Sequence, residues 1–121
     1  MPITEAEFGL SLPVDGYGPG FFRIAGEVYR SAVVVEAGSV VEWGGLDDLD
    51  PLFALSGKVD VLFIGMGADI AILPKAFVRT LEEKGVMCEA MSSPSAARTY
   101  NVLLSEGRRV AVALLPVPAK D

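Results

Sequence analysis

Two short stretches of this chain combine residue types and spacing that can hold a ligand where β-strands end. Gly65-Met66-Gly67-Ala68-Asp69 follows directly on the apolar run Val59–Ile64, and Ser92-Ser93-Pro94-Ser95 follows on Val86–Met91 and opens a helix. In an open α/β sheet, ligands sit beyond the carboxyl ends of parallel strands, where helix N-termini present N–H groups. Together the two stretches predict a shallow crevice lined by backbone N–H groups at Gly65 and Gly67 and by the hydroxyls of Ser92, Ser93 and Ser95. Arg98 follows one turn into the helix and would favour an anion or a peptide carbonyl there, unless it pairs with Asp69 or Glu89. Thr99 and Asn101 fall on the less apolar side of the same helix, although neither is a strong helix former. Asn101 therefore either lines this crevice or satisfies a buried backbone group.

Nucleotide chemistry is disfavoured. Gly65-x-Gly67 begins a dinucleotide fingerprint, and Glu89 falls near the place of a ribose-binding acid, but the sixth position is Ile70 and the helix starts only at Pro74. No Walker-type lysine follows, so a tight turn is the simpler role for these glycines. Asp47, Asp48 and Asp50 sit beside a helix start, where the dipole favours negative charge, and their spacing misses a Ca²⁺ loop. No cofactor and no metal are expected. Histidine is absent, which removes the usual acid/base near neutral pH and the usual partner of a Ser or Cys nucleophile. The single Cys88 lies in an apolar run and is read as a small buried hydrophobe.

Ten basic and sixteen acidic residues give a formal charge of −6, against the dense Lys/Arg that nucleic-acid binding needs. Arg108-Arg109 is the one small basic patch, a candidate for docking. The first residues, MPITEAEFGLSLP, lack the features of a signal or transit peptide, and no apolar run reaches the length of a membrane span, so a cytoplasmic location is expected.

The elements that would position these residues follow from caps and periodicity. Residues 1–20 read as an irregular segment ending in Gly16-Tyr17-Gly18-Pro19-Gly20, and residues 21–117 as a single α/β domain. Phe21–Ala25, Val28–Val35 and Ser39–Trp43 alternate or are β-branched and suit an antiparallel meander. Asp50 is expected to cap a short helix that Pro51 begins, and Val59–Ile64 is a strand apolar on both faces. Pro74 starts a helix that Gly85 stops; Val86–Met91 is a strand; Ser93 is expected to cap a helix that Pro94 begins and Gly107 stops. Val110–Val117 is the last strand, and Pro116 and Pro118 suggest an edge or an exit.

Three strings, Tyr17-Gly18-Pro19-Gly20-Phe21-Phe22-Arg23, Phe63-Ile64-Gly65-Met66-Gly67 and RTYNVLLSEGRR from Arg98 to Arg109, occur in this order and spacing. Through them nearly the whole chain resembles the family that includes mitochondrial NADH dehydrogenase complex I assembly factor 3, whose bacterial members are known as a domain of unknown function. The resemblance implies a three-layer α/β fold, a central mixed sheet with helices beside it. It also implies assembly work without a known reaction: the mitochondrial relatives bind partner subunits and another assembly factor. Without a targeting segment, the chain looks like the bacterial members. Two functions are expected to compete. The first is a non-catalytic interaction module for a membrane-associated respiratory or translocation complex, docking protein partners through Tyr17, Phe21, Phe22 and Trp43. The second is a small-ligand or anion-binding protein, or an enzyme, using the crevice at Gly65–Asp69 and Ser92–Arg98.

Overall fold

A computed structural model describes residues 12–69 and 72–118. The strands are β1 (Val14–Gly18), β2 (Phe21–Ile24), β3 (Glu27–Tyr29), β4 (Val33–Glu36), β5 (Ser39–Glu42), β6 (Val61–Met66), β7 (Cys88–Met91) and β8 (Val110–Leu115). The helices are α1 (Asp50–Phe53), α2 (Lys75–Glu83) and α3 (Ser93–Ser105). β1, β2 and β3 form an antiparallel sheet in that order, and a mixed sheet runs β5-β4-β8-β6-β7. β6 is parallel to both β7 and β8, whereas β4 is antiparallel to β5 and β8.

The period-2 alternation of the central strands builds the three layers. Val33, Val35, Phe63, Val110, Val112 and Leu114 face one cluster, with Ala96, Ala97 and Tyr100 of α3 and with Val14, Phe22 and Ile24 of the small sheet. The intervening Val34, Leu62, Ile64, Ala111 and Ala113 face the other, with Trp43, Leu52, Leu55, Leu81 and Val86. A strand covered on both faces has no position for a charge, which is why β6 and β8 read as unbroken apolar runs. Both longer helices end in the 6→1 and 5→2 pattern. Val86 N–H bonds Leu81 O at 2.9 Å after Gly85 (φ +85°), and Arg108 N–H bonds Leu103 O at 3.0 Å after Gly107 (φ +80°).

Five expectations need correction. Residues 14–18 of the segment read as irregular form β1, while residues 1–11 lie outside the described residues. The expected strand Val28–Val35 is two strands in different sheets, parted at Arg30-Ser31-Ala32, so the antiparallel meander is β1-β2-β3, and β4-β5 belongs to the mixed sheet. The last strand is central rather than an edge; its ladder ends at Leu115↔Met66, one residue before Pro116, so the prolines mark the exit alone. Ser92, not Ser93, caps α3, its Oγ accepting from Ser95 N–H at 3.3 Å, and Leu49 rather than Asp50 occupies the cap of α1.

Candidate functional site

The strand-end crevice is the natural place to look, and the structure brings most of its residues together. They meet as packing. Gly65 lies where α3 begins: a Cβ built there would stand 2.7 Å from Ser93 Cα, 2.7 Å from Ser93 Oγ and 2.9 Å from Leu114 Cδ2. Ser93 is fully buried. Its Oγ accepts from Gly67 N–H at 2.9 Å and donates to Leu115 O at 2.6 Å, while its own N–H donates to Gly67 O at 2.7 Å. One serine thus ties the ends of β6, β8 and α3 together.

The helix start holds no backbone N–H in reserve for an anion. Ser93 N–H goes to Gly67 O, Pro94 has none, Ser95 N–H goes to the Ser92 hydroxyl, and Ala96 N–H goes to Ser92 O at 2.8 Å. An N-terminus binds anions through free N–H groups, and these are engaged. Asp69 is exposed, and Arg98, also exposed, reaches Ser95 Oγ at 3.4 Å in place of Asp69 or Glu89. Thr99 Oγ1 lies 3.7 Å from Met91 Sδ. Arg98 and Thr99 line a shallow depression on the outer side of α3 with Val102 and Leu103. Across Gly65, Gly67 and Ser93 the expected crevice is therefore occupied by the packing of β6 against α3 and the end of β8.

Asn101 does the work of the second reading offered for it. Its Oδ1 accepts from Val14 N–H at 2.9 Å and its Nδ2 donates to Val14 O at 2.8 Å, so one amide satisfies both backbone groups of a β1 residue. The preceding Tyr100 has a fully buried side chain and donates its hydroxyl to Leu12 O at 2.9 Å. Adjacent positions on α3 hold adjacent stretches of the N-terminal strand over the core.

Burial pushes the Tyr100 hydroxyl well above the ordinary tyrosine pKa, and the charge of Glu36 adds to the shift. The folded protein keeps this proton where an unfolded chain, ionising near pH ~10, has released it. Its contribution is therefore complete below pH ~10 and is lost as pH rises above it. Tyr100→Phe is expected to lower stability by about 1 kcal/mol near pH 7 through the lost bond. It should also show a shallower decline through the alkaline range than the parent, in urea titrations at stepped pH. Parallel declines would refute the assignment. Cys88, half-buried, is also pushed up, by burial first and by Glu82 second, the opposite of an activated thiol.

The surface expected from aromatic residues is dispersed by the fold. Phe22 is 1% exposed and belongs to the core under the small sheet; Trp43 is 4% exposed on the opposite side of the mixed sheet, its Nε1–H donating to Asp48 O at 2.9 Å. Asp48 Oδ2 accepts from Gly44 N–H at 3.0 Å, so that aspartate closes a loop. Tyr17 remains 45% exposed, and Phe21 lies over Gly18, where a Cβ would meet its ring at 2.4 Å, with Arg30 5.8 Å above it. What the sequence did not reveal is a groove between α1 and the β4–β5 end of the mixed sheet, because its walls, β4–β5 and the residues of and just after α1, face each other only through the folding of residues 34–58.

Residues 14–115, from the first residue of β1 to the last of β8, match the family model described as protein of unknown function (DUF498/DUF598). The chain belongs to that family. Within DUF498, it is 60% identical to an uncharacterized protein of Rhodobacter capsulatus over 98% of this chain and 95% of that one. It is 27% identical to the NADH dehydrogenase [ubiquinone] 1 alpha subcomplex assembly factor 3 of Danio rerio, over 98% of this chain and 72% of that protein. The solution structure of a Mth938-like domain from Bordetella pertussis superposes with a TM-score of 0.76 at 29% identity, covering 99% of this chain and 92% of that one. These likenesses bear out the family and the α/β fold expected from the three strings. Among the described residues, no helix of this DUF498 chain is long and apolar enough to cross a membrane.

Proposed function

We propose that this DUF498 protein is a non-catalytic interaction module that helps assemble or stabilise a multi-subunit complex, in particular a membrane-associated respiratory or translocation complex. The observation that carries the reading is the engagement of Ser93, Tyr100 and Asn101 with backbone groups. The polar side chains that a reactive centre would draw upon hold strands in place. The absence of histidine from the sequence supports it further. Relatives named as complex I assembly factors, at about a quarter identity across most of this chain, supply the direction.

Mild crosslinking and affinity capture from native membranes, paired with native gels of a deletion strain, test the reading. A reproducible complex subunit among the captured proteins and a missing or smaller complex in the deletion strain are expected. Intact complexes with no reproducible partner would end it.

A further inference from the structure

α1 is a single turn, and it leaves the β4–β5 end of the mixed sheet open on its side. The groove there measures about 440 Å³ and its apolar lining is Val34, Val41, Pro51, Ala54 and Leu55; Val34 and Leu55 are buried, whereas Val41 is 45% exposed and Ala54 is exposed. Carboxylates of Glu36, Glu42 and Asp50 stand around it against one ammonium, Lys58. Among the described residues β5 pairs with β4 alone, so the outer edge of the sheet lies alongside.

We propose that this groove seats a segment of a partner protein in which apolar side chains alternate with lysines or arginines; the proposal rests on the interaction-module reading above. The exposed Val41 and Ala54 call for apolar side chains, since exposed apolar surface gains by losing water. The acidic surround selects cationic neighbours and repels acidic ones, giving specificity more than affinity. A small ligand would remain largely in water in so open a groove, whereas a peptide covers floor and edge together. The neighbouring depression at Arg108 and Arg109, about 250 Å³, has the opposite charge and lies at the C-terminal end of α3, where the helix dipole opposes an anion.

A labelled amphipathic peptide of leucines and lysines, and its counterpart with glutamates for lysines, serve as probes. The lysine peptide should bind and shift the amide resonances of Val34, Val41, Ala54 and Leu55, while the glutamate peptide should not. Glu42→Lys with Asp50→Lys should weaken binding at least about tenfold. Glu27→Lys with Glu89→Lys, the same change in net charge on β3 of the small sheet and on β7, at the opposite end of the mixed sheet from β5, should leave it nearly unchanged. Glu42→Gln with Asp50→Asn, milder for the fold, should give a smaller loss in the same direction. Equal losses from both charge reversals, or shifts centred on Arg108 and Arg109, would overturn the proposal. So would a native partner captured equally well by the groove variant, although that result would leave the interaction-module reading intact. A native partner lost only in the groove variant would support both.

Discussion

Gly65→Ala is expected to cost about 3 kcal/mol or more, at the upper end of overpacking effects, and to leave little folded protein at physiological temperature. The new methyl group would stand 2.7 Å from a backbone atom, Ser93 Cα, and 2.9 Å from Leu114 Cδ2. A flexible side chain could swing away, but Ser93 is fixed by three hydrogen bonds to Gly67 and Leu115. Moving α3 outward would break these bonds and open the core around Ala96 and Ala97. Gly107→Ala is the matched comparison. Its φ of +80° strains any side chain, but nothing lies within 4 Å of its Cβ, so about 1 kcal/mol is expected. Urea unfolding of both variants separates close approach from backbone strain. If Gly65→Ala lost no more than Gly107→Ala, the tight contact of β6 with α3 would have to be abandoned.

The same contact explains why the strand-end crevice was an attractive reading of the sequence. Glycine after a strand and serine before a helix are what an anion site requires, and also what two elements in close approach require. Only the partners of Ser93 distinguish the cases, and they lie 26 and 22 residues away in the chain. The run from β6 to β8 was legible because each boundary is local: Gly85 and Gly107 end helices, Pro74 and Pro94 start them, and apolar runs lie between. The N-terminal half was not. Val28–Val35 looks continuous because Arg30-Ser31-Ala32 carries no glycine or proline, yet there the chain passes from one sheet to the other. β1 was hidden by its glycines, which stand opposite large neighbours: Gly16 pairs with Arg23 and Gly18 with Phe21, whose side chains lie over them. Trp43 looked like a docking aromatic because nothing adjacent shows that Leu52 and Leu55 close over the same cluster.

Asn101→Ala should cost about 2–3 kcal/mol, because two bonds are lost at once and both backbone groups of the buried Val14 are left without the amide. The loss should concentrate in β1: amide exchange at Val14 and along its pairing with β2 should accelerate more than exchange in β6 or β8. Asn101→Asp tests the geometry more sharply. One carboxylate oxygen can still accept from Val14 N–H, but the other would face Val14 O, where the native amide donates at 2.8 Å. Two acceptors cannot share that contact, so the carboxyl should hold its proton in the folded state at a higher pH than in the unfolded one. A raised folded pKa gives a variant nearest to parental stability below the ordinary aspartate value of ~3.9, with the gap widening as pH rises through the folded pKa. Thermal melts of the two proteins from acid to neutral pH measure that gap. A gap that stayed constant would mean that Nδ2 does not donate to Val14. The hold of α3 on the N-terminal strand would then rest on Tyr100, the bond from Val14 N–H to Asn101 Oδ1 and apolar packing.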